Sequence, residues 1–261
     1  MSFFAMIAVF DVIVMLLCWL YCLQQKRAGL VDAAWSFCIA FSCLSAALLY
    51  DNAPLSVRLL IGIGSSVWFA RLCWHLSRRY FQEHSEDERY ASMRAAMGKA
   101  QHIGFLLFFL FQAGLAFLFS LPMLLLLSTT DAAWQAGIDS AVLLSAAIML
   151  LAFIGESLAD QQLYRFKQNP DNHGKTMDRG LWRYSRHPNY FFEWLHWFAY
   201  PIIGLWAGLH ELWIYPLLMF LFLYFFTGIP FSEQQALRHR GDNYLRYQQR
   251  TSMFFPWKPK P

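Results

Sequence analysis

The chain has 261 residues, of which 57% are hydrophobic, 18% aromatic and only 15% charged. This composition excludes an ordinary soluble domain, in which about a quarter of the residues are charged. The formal net charge of +4 does not indicate nucleic-acid binding, because the basic residues cluster at one predicted membrane face, where anionic lipid accounts for them. The five cysteines lie in apolar segments without metal-ligand spacing, so the sequence predicts neither a disulfide framework nor a metal site.

Seven apolar segments follow one another along the chain, each long enough to cross about 30 Å of hydrocarbon as an α-helix. They cover residues 3–23, 30–50, 56–77, 104–128, 136–160, 188–208 and 211–231. Lys and Arg concentrate in the loops after the first, third and fifth segments and in the C-terminal tail. Because positive loops face the cytoplasm, the sequence predicts an all-α integral membrane protein with seven transmembrane helices, an outside N-terminus and a cytoplasmic C-terminus. We expect a multi-pass protein of a bacterial inner membrane.

The helices are predicted to form a single membrane domain over residues 1–261. The main polar interruption, Ser77 to His102, mixes acidic and basic side chains and predicts a short amphipathic helix on the cytoplasmic face. A second amphipathic helix is predicted in the tail, where arginine and tyrosine recur between Arg238 and Arg250.

The densest polar run extends from Asp178 into the start of the sixth apolar segment. Pro188 suits the first turn of a helix, where its missing N–H is not needed. Polar side chains then recur at helical spacing along the segment, at Asn189, Glu193, His196 and Tyr200. Polar groups inside a membrane are costly and usually mark a functional site.

Two further segments bring polar groups to the same membrane boundary. Asp160 and Lys167 lie on one helical run before a turn-rich loop, and Glu233 follows the last apolar segment. Arginines suit phosphates through bidentate hydrogen bonds, and carboxylates suit ribose hydroxyls. The sequence therefore predicts a pocket for an anionic, nucleotide-sized ligand, without a Rossmann glycine signature or a P-loop.

The runs DQQLYRFK (160–167) and GLWRYSRHPNYFFE (180–193) resemble the C-terminal domain of the steroid 5α-reductase family, in its bacterial DUF1295 branch. Weaker similarity extends to LVDAAW (30–35), WFAR (68–71) and EDERY (86–90), so the resemblance covers most of the chain. It implies an NADPH-dependent reductase that transfers hydride to the β-carbon of an electron-poor C=C bond in a steroid-like or other lipid. Residues 1–103 would then form the substrate-side helices 1–3 with the cytoplasmic segment, and residues 104–261 the cofactor-binding half.

The predicted cofactor site comprises Asp160, Lys167, Arg179, Arg183, Tyr184, Arg186, His187, Asn189, Glu193 and Glu233. The resemblance assigns Asp160, Asn189 and Glu193 to cofactor-binding positions, and Tyr184 and Arg186 fall within the same motif. The remaining members are predicted from their charge and their place beside that motif. The expected substrate is a lipid or steroid-like small molecule, and the protein is expected to contact membrane lipids.

An enone reductase also needs a hydrogen-bond donor to the carbonyl oxygen as enolate charge develops. The candidates, in falling order of preference, are Asp32, Arg71, His75, Tyr190 and Tyr200. The glutamine–glutamate pair and the tyrosine with which the animal steroid enzymes hold the carbonyl have no counterpart here. A structural interpretation of the same residues pairs Asp32 with Arg71 and makes Arg71 and His75 part of an interfacial ladder.

Two other functions fit parts of the pattern. The motif RHPNY (186–190) and Glu233 also resemble membrane methyltransferases that modify isoprenylcysteine or phospholipid and bind S-adenosylmethionine. Those enzymes use paired glutamates in the tail, whereas Gln234 follows Glu233 here. A non-catalytic membrane scaffold is the third interpretation, and nucleotide binding distinguishes it from both enzymes.

Overall fold

The computed structural model describes residues 1–83, 85–130, 133–134 and 136–260. Within these ranges the chain is helical and contains no β-strand, as predicted. The principal helices are α1 (Phe3–Gln25), α2 (Leu30–Leu49), α3 (Ser65–Gln82), α4 (Glu88–Met97), α5 (Gln101–Ser128), α6 (Ile138–Gln168), α7 (Pro188–His196), α8 (Ala199–Trp206), α9 (Ile214–Leu221) and α10 (Ile229–Arg250). A π-helical stretch, Arg58–Gly64, leads into α3, and another, Phe222–Phe226, extends α9.

Helix ends follow local capping chemistry. The Ser2 side chain accepts a hydrogen bond from the Ala5 N–H at the start of α1. The helix predicted between Ser77 and His102 is present as α4, and the Asp87 side chain caps it by accepting from the Arg89 N–H. Residue 84 of that segment lies outside the described ranges. The predicted tail helix is present within α10, which bends at Gly241, where φ is 47°.

Six helical stretches in the described ranges are long and apolar enough to cross a membrane, which makes the chain a multi-pass membrane protein. They are Phe3–Gln25, Leu30–Leu49, Leu55–Gln82, Glu88–Ser128, Ile138–Gln168 and His210–Arg250. These stretches coincide with the predicted spans, apart from the one at 188–208.

The segment predicted as a span over 188–208 is divided into α7 and α8. At the break, the Trp197 and Phe198 N–H groups donate to Trp194 and Leu195, which is the tighter i to i−3 pattern. Pro201 has no N–H to donate to the carbonyl of Trp197, so the regular ladder cannot be restored there. The prediction of one continuous helix over 188–208 is therefore wrong, and this segment is not among the six candidate spans.

The chain divides into two compact units. The first comprises Met1–Val142 and Trp206–Gly208, and the second comprises Leu143–Leu205 and Leu209–Pro261. In the first unit, α2 packs against α3 and α5, and α1 packs against α5 and α2. Residues 104–142 thus group with the N-terminal helices rather than with the C-terminal half, because α5 is the helix on which α1 and α2 rest.

The C-terminal segment is fixed to the second unit by backbone hydrogen bonds and by aromatic packing. The Trp257 N–H donates to the Tyr184 carbonyl at 2.9 Å, and the Arg186 N–H donates to the Ser252 carbonyl at 2.8 Å. Phe254 is buried against Trp194 and other rings of this unit. Residues 251–260 therefore run beside residues 184–186, the centre of the motif from which the site was predicted.

Candidate functional site

Asp160 and Asn189 meet in the second unit, as the predicted cofactor site requires. The Asn189 side chain donates from Nδ2 to Asp160 Oδ1 at 3.3 Å. Its other polar atom, Oδ1, is buried and has no hydrogen-bond partner among the described residues. Pro188 occupies the first position of α7, as predicted, and places Asn189 in the first turn. A buried acceptor left in this state is stabilised by a donor that a ligand or water supplies.

The rest of the predicted polar stripe forms hydrogen bonds one helical turn apart. Glu193 Oε1 accepts from the Trp197 indole N–H at 3.1 Å, and Tyr200 OH lies 2.8 Å from His196 Nε2. Burial is common to the four side chains of these two bonds, namely Glu193, Trp197, His196 and Tyr200. His196 and Tyr200 therefore bond each other within the stripe, whereas Glu193 bonds Trp197, which lies outside it.

A buried ion-pair network surrounds Glu233. Arg186 donates from Nε to Glu233 Oε1 at 2.9 Å and from Nη2 to Oε2 at 3.1 Å, which is a bidentate pair. His187 and Tyr244 also bond Oε1, at 2.8 and 2.7 Å, and Gln248 donates to Oε2. Arg186 uses its remaining nitrogen for the carbonyls of Gln248 and Thr251. This Glu233 network joins the loop before α7 to α10.

The pKa of His187 is lowered within the Glu233 network. Burial lowers the pKa of His187 below its ordinary value of 6.5, and this effect exceeds the opposing one of the Glu233 carboxylate. A neutral ring with its proton on Nε2 donates to Glu233, and the ring stacks on Tyr190 with centroids 5.5 Å apart. Tyr190, a candidate catalytic residue, is thereby held beside the network.

Residues 180–183 connect the Asp160 region to a large cavity. The Trp182 indole N–H donates to the Ala159 carbonyl at 3.0 Å, and the Leu181 N–H donates to Gln162 Oε1 at 2.9 Å. Ala159 and Gln162 lie on either side of Asp160 in α6. Gly180 begins this segment with φ of 59°, a conformation that glycine adopts without strain.

A cavity of about 740 Å³ opens on the other side of this segment. We call it the cationic basin, and its charged lining consists of Lys175, Asp178, Arg179, Arg183, Arg246 and Arg250. Its further lining includes Thr176 and Asn243, and the Thr176 N–H donates to Asn243 Oδ1 at 3.0 Å. Five cations against one acid give the lining a formal charge of +4. Such a concave surface attracts anions.

The predicted cofactor residues therefore fall into different settings. Arg179 and Arg183 line the cationic basin, and Asp160 pairs with Asn189. Lys167 is exposed near the end of α6, and the Tyr184 side chain is exposed as well. Arg186, His187 and Glu233 are buried in their own network.

In the first unit, Asp32 is paired with residues that the sequence had not suggested. Its carboxylate accepts from Arg89 Nη2 at 2.8 Å and from Tyr90 OH at 2.7 Å. Asp87 accepts from the same arginine at 3.0 Å. The structural interpretation that pairs Asp32 with Arg71 is therefore wrong about the partner, because α4 brings Arg89 to the carboxylate. Asp32 is a carboxylate that anchors α4.

Arg71 and His75 both lie on α3, partly buried. The Arg71 guanidinium lies over the Trp68 ring, 5.6 Å from its centroid. Their catalytic roles stay predictions, as does that of Asp32.

Several basin residues were missed as site residues from the sequence. They are Lys175, Thr176, Asn243, Arg246 and Arg250. The spacing of Arg246 and Arg250 by one helical turn was a visible signal, since it places both on one face of α10. The sequence predicted that the turn-rich loop before Asp178 and the tail helix would enclose one anionic ligand together, but it did not single out these five residues.

Comparison with known proteins gives the following findings. The family model described as a protein of unknown function, DUF1295, matches residues 18–251. An uncharacterized protein of Schizosaccharomyces pombe, C594.04c, is 28% identical over an alignment of 214 positions, which covers 71% of this chain and 60% of that protein. The chain thus spans less than two thirds of the length of this relative. No solved structure matches significantly.

Proposed function

The chain belongs to the DUF1295 family, and from this premise we propose that it is an NADPH-dependent reductase of an activated C=C bond in a lipid. The observation that carries the proposal is the combination of two features on one segment of the second unit. Gly180 and Arg183 line the cationic basin. The two residues between them bond to α6 on both sides of Asp160. A dinucleotide phosphate needs both cations for its phosphates and acceptors or donors for its ribose and amide groups.

The donor set suits such a cofactor. The basin offers five cations for phosphate, and Asp160 with Asn189 offers a carboxylate and an amide for hydroxyl or carboxamide groups. The buried Asn189 Oδ1 lacks a partner among the described residues, which favours a ligand donor at this point. When bound, NADPH supplies the hydride. The role of the chain is to hold the nucleotide in place, to exclude water and to supply a proton to the reduced lipid.

Five side chains stay candidates for delivering the proton: three belong to the first unit, and two are tyrosines of α7 and α8 in the second unit. A steroid-like or other enone lipid would reach the protein from the membrane. Asp32 is the first candidate for delivering the proton, followed by Arg71, His75, Tyr190 and Tyr200. Because Asp32 accepts from Arg89 and Tyr90, it must first take up a proton before it can donate one.

We further propose that α7 and α8 together form a seventh crossing of the membrane. The N-terminus would then lie outside and the C-terminus in the cytoplasm, and the membrane would be a bacterial inner membrane. The basic residues of the cationic basin and of α10 favour this orientation, because positive segments remain on the cytoplasmic side. Resemblance to steroid 5α-reductases supports the same topology.

The methyltransferase alternative receives less support. It needs carboxylates in the tail for S-adenosylmethionine, and both oxygens of Glu233 are used by Arg186, His187, Tyr244 and Gln248. A carboxylate with five donors from its own chain has little capacity left for a ligand.

Removing the Asp160 or the Asn189 side chain should weaken NADPH binding. We expect Asp160→Ala and Asn189→Ala each to raise the Kd at least about tenfold, because a hydrogen bond to a charged group contributes about 1.5–3 kcal/mol. The Kd is measured by titrating the detergent-purified protein and following nicotinamide fluorescence. Asp139→Ala, on an exposed residue at the other end of α6, is the matched control and should bind normally. Unchanged affinity in both variants would remove this pair from the site.

A further inference from the structure

We infer that the cationic basin is a phosphate-monoester subsite and that, within the proposed function, it binds the 2′-phosphate by which NADPH differs from NADH. The subsite would be formed by Lys175, Arg246 and Arg250 together with Arg179 and Arg183. The inference rests on the proposed function. It adds the residues that determine the choice of nucleotide.

The basin cations differ from other arginines of the chain in what they contact. Three arginines outside the basin have carboxylate partners: Arg89 bonds Asp32, Arg94 bonds Glu86, and Arg186 bonds Glu233. By contrast, the five basic side chains of the basin make no hydrogen bond or ion pair with any described residue, and the lining holds one acid, Asp178. Five cations in one concavity repel one another, and a dianionic phosphate monoester relieves that repulsion.

The wall of the basin contains a buried hydroxyl. Thr176 is only 9% exposed, and its Oγ1 has no hydrogen-bond partner among the described residues. Its backbone is fixed by the bond to Asn243. A buried hydroxyl of this kind is costly unless a partner is supplied, and a phosphate oxygen at this wall would accept a hydrogen bond from it.

The basin is built from segments that hydrogen bonds hold in place. The Tyr247 hydroxyl donates to the Trp182 carbonyl, which ties α10 to residues 180–183. The Lys260 N–H donates to the Arg250 carbonyl at 2.8 Å, so the C-terminal segment is bonded to the end of α10, and Pro259 lines the cavity. Cations held on a fixed frame lose less entropy when they bind a phosphate.

The test measures the Kd of NADPH and of NADH for the detergent-purified full chain and for Arg246→Gln, Arg250→Gln and the double variant. We expect the unchanged chain to prefer NADPH by at least about tenfold, and we expect the double variant to lose most of that preference by weakening NADPH alone. Arg246→Lys should retain part of the preference because it keeps the charge. Arg238→Gln, an exposed arginine of the same helix outside the basin lining, is the matched control and should leave both Kd values unchanged.

The outcomes separate the inference from the function. If NADPH and NADH both bind and the variants weaken them equally or not at all, the 2′-phosphate assignment is wrong and the reductase proposal stands. If neither nucleotide binds the unchanged chain, both are wrong.

A parallel titration with vesicles containing phosphatidic acid identifies the other source of a phosphate monoester. Loss of vesicle binding in the double variant, with unchanged NADPH binding, would assign the basin to a lipid headgroup and overturn the inference. The unfolding temperature without ligand confirms that each variant is folded.

Discussion

Glu233→Ala should lower the free energy of unfolding by about 3–5 kcal/mol, the largest loss that we expect from a single substitution in the second unit. The side chains of Arg186 and Glu233 are only 10% and 12% exposed. Removing the carboxylate leaves the Arg186 guanidinium buried without its bidentate partner and takes an acceptor from His187, Tyr244 and Gln248. The measurement is the thermal or denaturant unfolding of the detergent-purified protein.

Glu83→Ala provides the matched control for that substitution. Glu83 forms an ion pair with Arg79 at 3.8 Å, but the two side chains are 54% and 42% exposed. Exposed pairs contribute at most about 1 kcal/mol, so this variant should unfold nearly as the unchanged protein does. A small effect of Glu233→Ala, similar to that of Glu83→Ala, would contradict the structural role of the Glu233 network. It would return Glu233 to the set of ligand-binding candidates.

Asp32→Asn should retain NADPH binding and reduce turnover by about 10²–10³-fold, if the protonated Asp32 side chain delivers the proton as proposed. Asparagine still offers a carbonyl oxygen to Arg89 and Tyr90, but it cannot pass on a proton. The measurement is NADPH consumption with a 3-oxo-Δ4 steroid as the probe enone, together with the nucleotide Kd.

Tyr90→Phe distinguishes catalysis from anchoring in this experiment. It removes the hydrogen bond from Tyr90 OH to Asp32 Oδ1 and leaves the carboxylate and its Arg89 partner in place. We expect a much smaller loss of turnover than for Asp32→Asn. Equal losses in the two variants would show that Asp32 acts by positioning α4, and the proton would then have to come from another candidate, such as Tyr190 or His75.

Features that depend on neighbouring residues were predictable from the sequence. The apolar periods predicted the long helices, and the place of Pro188 before Asn189 predicted the start of α7. The stretch over 188–208 failed as a single helix because hydropathy reports burial in lipid and not hydrogen bonding. Pro201 was the available sign that the ladder would break near Trp197.

Partner choice between distant charges was not predictable. Asp32 and Arg89 are 57 positions apart, and Arg186 and Glu233 are 47 apart. Of these four residues, the sequence had suggested all except Arg89 as site candidates. It could not predict the pairs, because a plausible fold could bring any of several arginines to each carboxylate. The cationic basin shows the same limit, because its two halves, the Lys175 loop and the Arg246–Arg250 face of α10, come together only through tertiary contacts.

The central proposal is that the second unit holds NADPH, and ligand-induced stabilisation tests it most directly. The detergent-purified protein is heated with NADPH, NADH or S-adenosylmethionine, each at matched concentration, and the unfolding temperature is recorded. A ligand present at a hundred times its Kd adds about 2.7 kcal/mol to the stability of the folded state. We predict a clear rise in unfolding temperature with NADPH, a smaller one with NADH and none with S-adenosylmethionine. Stabilisation by S-adenosylmethionine with no response to NADPH would contradict the proposal and favour the methyltransferase.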